Sequence, residues 1–137
     1  MVSRPQHGQS EFVRVIAAVI RQHGRYLLCR RPAEKRHGGM WEFPGGKIEQ
    51  GESDFEAANR ELTEELGVSV VSVSPPHFTV ADPGSHFVIE FMPAEIDGSP
   101  RCIEHSEIRW VPLSEMPHLE LAPSDRRFVE NLLTSDG

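Results

Sequence analysis

Cysteine is scarce in this chain: 137 residues contain two, Cys29 and Cys102. Neither belongs to the paired spacing of a zinc site or of a disulfide-stapled secreted scaffold. Both lie in strand-like sequence and are expected to be reduced, buried thiols. Long apolar runs are missing too. No stretch approaches the roughly 20 residues that span a bilayer, and the opening MVSRPQHGQS lacks the apolar core of a signal peptide. The expectation is a soluble, cytoplasmic protein without a membrane partner. Positive charge is in deficit, with 14 Lys and Arg against 21 Asp and Glu and a net charge of -7. Unspecific attraction to a nucleic-acid polymer is therefore excluded as an expectation, and a polyanionic small ligand would need cations to approach. There are no internal repeats and no low-complexity segments.

What is present suits one modest core, since 38% of the residues are apolar. A flexible polar tail is expected over residues 1–10 and a single domain over 11–137. FVRVIAAVI and YLLCR are β-prone and are joined by RQHGR, where Gly24 suits a tight turn, so a hairpin is predicted. Strands are also predicted in WEF, VSVVSVSPPHFTV, SHFVIEFMPAEI and IRWV, and a terminal helix in SDRRFVENLL, with Phe128, Val129, Leu132 and Leu133 at helical spacing. The other helix is predicted over 54–66. Ser53 and Glu56 make a capping box, Gly67 ends the helix, and Phe55, Ala58, Leu62 and Leu66 define an apolar stripe.

On another face of that helix stand Glu61, Glu64 and Glu65. At about 100° per residue they fall within roughly a quarter of the circumference, near a C-terminal end where the helix dipole disfavours negative charge. Like charges at these spacings destabilise a helix unless a cation joins them. Two features favour a cation over a solvated acidic face. Glu52 and Arg60 bracket the cluster as a candidate ion pair, and the bare Gly45-Gly46 backbone can bring a carbonyl oxygen to the same place. Three carboxylates and a carbonyl are a hard oxygen set that suits Mg²⁺ or Mn²⁺ rather than zinc.

The spaced set Gly46, Glu52, Arg60-Glu61-Leu62, Glu64-Glu65 and Gly67-Val68 resembles the signature of the Nudix hydrolases without a departure. RRPAEKRHGGMWEFPGGKIEQGE, EHSEIRWVPL and LAPSDRRFV extend the resemblance, towards the MutT-like branch, over nearly the whole chain. The resemblance implies an α/β fold, an α/β/α sandwich with a mixed β-sheet between helices. It implies Mg²⁺-dependent attack of water on a nucleoside diphosphate linked to another group, with Mn²⁺ as a substitute. MutT-like members take nucleoside triphosphates to a nucleoside monophosphate and pyrophosphate, and oxidised nucleotides such as 8-oxo-dGTP are candidates here, in keeping with nucleotide-pool sanitation. A nucleotide sugar is the alternative substrate, and a non-catalytic ligand-sensing module the alternative class. The partner is a small-molecule nucleotide, bound by a monomer or homodimer.

By motif position the resemblance gives the metal to Glu61, Glu64, Glu65 and the carbonyl of Gly45, and the orientation of the helix to Glu52 and Arg60. Glu104 matches an extra glutamate from a later loop, as metal ligand or base, with Glu107 as its rival; Glu64 or Glu65 could instead be the base. Arg31 matches a nucleotide-contacting arginine, and of adjacent Arg30 and Arg31 only one can point inward from a strand. Phe43 is a candidate for base stacking but also for packing, and Lys47 for phosphate contact but also for plain exposure. Asp125 stands where MutT carries a base-reading asparagine, and DPGS before His86 lacks the aromatic and basic residues MutT has there. Ionised aspartate only accepts hydrogen bonds, so base preference can differ. The seven histidines, His7, His23, His37, His77, His86, His105 and His118, have no metal-like spacing and are expected to be solvated or packed. Millimolar Mg²⁺ or Mn²⁺ should raise the melting temperature by binding the folded state, with a smaller rise in Glu64→Gln. Identical wild-type melting curves with and without metal would contradict a metal site.

Overall fold

The computed structural model describes residues 12–136; the expected tail over 1–10, with His7, lies outside them. In chain order the elements are β1 (Val13–Val19), β2 (Arg21–Gln22), β3 (Arg25–Arg30), β4 (Trp41–Glu42), β5 (Gly45–Lys47), helix α1 (Asp54–Leu66), β6 (Ser69–Val73), β7 (Phe78–Ala81), β8 (Phe87–Asp97), β9 (Glu107–Pro112), a 3₁₀ turn (Leu113–His118) and helix α2 (Pro123–Asp136).

β1 is a central strand of a mixed sheet, antiparallel to β5 on one edge and parallel to β8 on the other. β8 is long enough to carry two partners on its far edge, β7 against its first half and β6 against its second. The run IAAVI in and after β1 is apolar at every position because both faces are covered. Ile16, Ala18 and Ile20 pack with Ala58, Leu62 and Leu66 of α1, while Ala17 and Val19 pack with Phe128 and Val129 of α2. The period of two along one strand thus separates two core layers. The result is an α/β/α sandwich with a mixed sheet between its helices, as expected.

The hairpin differs from the expectation. β1 does not pair with β3; only β2 does, and β3 lies in a second, antiparallel sheet with β4 and β9. The chain passes from one sheet to the other at Ile20, whose carbonyl accepts from Leu27 N–H at 3.0 Å. The turn itself is as read, with His23 at φ 53° and Gly24 at φ 77°, the double positive φ that matches strand twist. Helix α1 has the predicted bounds and caps. Ser53 Oγ accepts from Glu56 N–H at 3.1 Å, Glu56 Oε1 accepts from Ser53 N–H at 2.9 Å, and Gly67 adopts φ 70°.

Three apolar expectations need correction. Phe55 lies outside the α1 stripe, 43% exposed in the first turn, where the sheet has not yet reached the helix; Ala57 is buried instead. Leu133 is 38% exposed at the end of α2, beyond the aromatic cluster. Cys29 is buried and its thiol pushed up by that burial, but Cys102 is exposed in the loop after β8. The α2-side layer centres on Phe91 and Phe128, stacked at 4.5 Å, with Phe43 edge-on to Phe128 at 5.3 Å. Phe128→Ala should lower unfolding free energy by about 3–5 kcal/mol in a urea titration; a loss below about 1 kcal/mol would mean that the layer collapses around the gap.

Candidate active site

The site begins where β5 passes beneath α1. Gly46 lies so close to Glu61 that any side chain at position 46 would collide with its carboxylate, and a side chain at Gly45 would collide with the Ile16 carbonyl. Glycine is therefore needed at position 45, where the neighbour is backbone, while at position 46 the end of the Glu61 side chain would have to move aside. The loop between β5 and α1 is held by Arg60. Its Nε and Nη2 donate to the two Glu52 oxygens at 2.7 and 2.9 Å, Nη2 donates to the Lys47 carbonyl at 3.0 Å, and Nη1 donates to Glu61 at 3.0 Å. The Arg60 fork, with a bond from Glu49 N–H, holds the Glu52 carboxyl down at about 2. The sequence suggested this ion pair; its extension to Glu61 and to the backbone emerges from the fold.

The three helix glutamates part company. Glu65 is 6% exposed, and Glu61 is close beside it. Glu64 turns outward, 55% exposed, with Arg60 Nη1 at 3.9 Å. Burial, and then the Glu61 carboxyl as hydrogen-bond partner and as charge, push the Glu65 carboxyl up to about 9, with Glu42 and Glu104 adding to the effect. Glu65 Oε1 is buried without a hydrogen-bond partner. An orphaned carboxylate oxygen beside a second carboxylate and a glycine backbone fits a hard divalent cation, whose charge would reverse the local cost of ionisation. Among the described residues no three side chains already stand as a ligand set, so Glu64 would have to swing inward to join one.

Two cavities meet here. One, of about 410 Å³, is lined by Glu65, Glu104 and His105; the other, of about 350 Å³, has Phe43, Lys47 and Asp125 in its lining. Arg31, Glu42 and Gly45 line both. Of the two adjacent arginines, Arg31 is the inward one, donating to Glu42 at 2.9 Å, while Arg30 lies over Trp41 and pairs with Glu107 at 3.5 Å. Glu107 lines neither cavity, whereas Glu104 lines the acidic one. Phe43 is buried edge-on to Tyr26, Phe91 and Phe128, which is packing, with only its margin on the cleft. Lys47 reaches across the cleft wall to the Phe87 ring at 5.4 Å.

Asp125 is fully buried at the cleft and accepts from Phe43 N–H at 2.9 Å. Burial, with the Glu42 charge second, drives its carboxyl well above the ordinary range. The shift favours the protonated form, which can both donate and accept, as an asparagine does. Burial thus works against the acceptor-only, ionised form expected from the sequence. Sequence reasoning missed three residues. Glu42 lies between the buried aromatics of WEF, a pattern that could have marked an enclosed acid. Asp82, within the segment read only for what it lacks, accepts from Ser124 Oγ at 2.7 Å and pairs with Arg36 at 3.4 Å across the cleft. His105 was read as solvated or packed, yet its Nε2 meets Glu42 at 3.0 Å. No local signal marked it.

A fold of this kind, with an acidic helix beneath a glycine strand and a cleft alongside, belongs to a class of enzymes that hydrolyse phosphoanhydrides. A family model of the NUDIX domain matches residues 11–132. The CTP pyrophosphohydrolase of Escherichia coli K12 is 34% identical over 123 residues, 88% of this chain and 90% of that one. The 8-oxo-dGTP diphosphatase of the same organism is 28% identical over 128 residues, 88% and 95% of the two chains. The crystal structure of the MutT NUDIX hydrolase from Burkholderia pseudomallei superposes with a TM-score of 0.75 at 30% identity, covering 86% of this chain and 95% of that one. The chain belongs to the Nudix hydrolase family, in its MutT-like branch, and is an enzyme of that class.

Asp125 supplies a pH signature. Its unfolded carboxyl loses its proton near the ordinary 3.8, while the folded one keeps it to higher pH. The folded state then binds more protons than the unfolded one, so this group's contribution is full below that value and is lost as pH rises towards the folded pKa. Asparagine at this position removes the dependence. In metal-free protein, Asp125→Asn should melt close to wild type near pH 4 and increasingly above it towards pH 7. A constant difference across that range would show Asp125 ionised in the cleft.

Proposed function

We propose that the protein is a Mg²⁺-dependent nucleoside triphosphate pyrophosphohydrolase, releasing nucleoside monophosphate and pyrophosphate, with Mn²⁺ as a substitute. The observation that carries the reading is the shared wall of Arg31, Glu42 and Gly45 between a cleft of nucleotide-binding size and the acidic cluster. Glu61, Glu64, Glu65 and the Gly45 carbonyl would hold the metal, with Glu104 as a further ligand or the base. When bound, the cation neutralises phosphate oxygens and helps to generate the nucleophile from water. The chain's own residues do the rest. Arg60 and Glu52 fix the strand-to-helix approach, so that the backbone carrying the carboxylates is held in place before the substrate arrives. Arg31 and Lys47 offer positive charge to the phosphate chain. Asp125 offers its carboxyl to the base edge. CTP and 8-oxo-dGTP, named for the two relatives, each carry an exocyclic amino group on the base, from which a carboxyl oxygen can accept. Residues 11–137 would act as one domain, in the cytoplasm, on free nucleotides.

The test is a panel of CTP, dCTP, ATP, dGTP, 8-oxo-dGTP and a nucleotide sugar with Mg²⁺, products separated, and the same panel in excess EDTA. Monophosphate and pyrophosphate from a triphosphate support the reading; full activity in EDTA, or cleavage of the sugar alone, would sink it. Glu65→Gln sharpens it. The change keeps shape and replaces a carboxyl that is protonated in metal-free protein, so apo melting should be unchanged or higher. Turnover at saturating Mg²⁺ should fall about a hundredfold or more. A mutant retaining more than about half of the wild-type rate would exclude Glu65 from the metal site.

A further inference from the structure

We infer that His105 is a positioning residue for Glu65, clamped through Glu42 so that its Nδ1 steers the buried carboxylate into the acidic cluster. The inference rests on the hydrolase reading above, which gives Glu65 its task. The loop that carries His105 is tied down on both flanks. Arg101 N–H donates to the Leu66 carbonyl at 2.8 Å and Ile103 N–H to the Glu65 carbonyl at 3.2 Å, docking the loop on the end of α1. Ser106 N–H donates to the Arg30 carbonyl at 3.0 Å, and the Cys102 thiol to the His105 carbonyl at 2.8 Å. The ring therefore has little freedom of its own.

One ring edge is satisfied and the other is not. Nε2 meets Glu42 Oε2 at 3.0 Å, and Glu42 Oε1 is held by Arg31 at 2.9 Å. Glu42 thus grips the imidazole with one oxygen and the cleft arginine with the other. Nδ1 faces Glu65 Oε1 at 4.0 Å, and both atoms are buried without a hydrogen-bond partner. That separation is too long for a hydrogen bond, and two orphaned buried polar atoms are costly. A ring donating from both nitrogens would meet a carboxylate on each edge, Glu42 at Nε2 and Glu65 at Nδ1. A small torsion of the Glu65 side chain, the less constrained of the two, brings the pair into contact. The chain Arg31, Glu42, His105, Glu65 then joins the nucleotide cleft to the metal-holding cluster, and such supporting contacts commonly matter 10–100-fold to affinity or activity.

The two amide substitutions separate the ring edges, because the asparagine amide overlaps Nδ1 and the glutamine amide reaches only to Nε2. Mn²⁺ affinity of nucleotide-free protein, read from the free Mn²⁺ resonance, is measured beside kcat and KM for His105→Asn, His105→Gln and His105→Ala, with far-ultraviolet melting to confirm the fold. His105→Asn should stay within about threefold of wild type, while His105→Gln and His105→Ala weaken Mn²⁺ binding about 10–100-fold and lower kcat with KM little changed. A loss in His105→Asn as large as that in His105→Gln overturns the inference, since the amide that keeps the Nδ1 group should lose less; so does wild-type Mn²⁺ affinity in all three. A wild type that binds Mn²⁺ but cleaves no nucleotide sinks the hydrolase reading instead, and the His105 comparison is then decided on Mn²⁺ affinity.

Discussion

The guanidinium of Arg60 is the tie on which the acidic site depends. It gathers both oxygens of Glu52, one oxygen of Glu61 and the Lys47 carbonyl, all within 3.0 Å. A planar fork can do this; a lysine point charge could not hold four acceptors in one plane. The tie has two effects. It locks the chain between β5 and α1 into one path, and it places a positive charge inside a helix segment that would otherwise hold acidic groups against an unfavourable dipole. The close approach of Gly46 to Glu61 follows from that path.

Around this tie, identical side chains take opposite protonation behaviour. Glu52, gripped by Arg60, is held down at about 2, while Glu65, buried beside Glu61 on the next turns of the helix, is pushed up to about 9. Environment alone divides the roles. One glutamate is held in its ionised form by a guanidinium, while burial beside a second carboxyl favours the proton on the other. Asp125 repeats the pattern across the cleft, where burial pushes its carboxyl well above the ordinary range. Nudix hydrolases generally use divalent cations, and the chemistry of this donor set fits that habit.

Much of the fold was legible because local rules and tertiary demands agree. The capping box and the terminal glycine bound α1 at the predicted residues, and the β-prone run FVRVIAAVI forms β1. Where readings failed, periodicity was answering a question that only packing can settle. Phe55 has the right phase for the α1 stripe but sits ahead of the sheet's reach, and Leu133 has the right phase for α2 but lies past its partner. The predicted hairpin was right in its turn and wrong in its partner strand, since a turn specifies two residues and not which sheet receives them.

The acidic cluster shows the same division. By itself the sequence determined which oxygen-bearing residues were available near α1, their spacing of three and four, and the glycines that let a backbone approach them, because helical geometry and steric size are local properties. Only the tertiary structure decided that Glu65 is buried while Glu64 faces solvent, that Glu42 and His105 stand behind Glu65, and that burial pushes the Asp125 carboxyl up. Those outcomes depend on which distant segments exclude water from a carboxylate and which bring a partner to it, and desolvation has no counterpart in the spacing of residues along a chain.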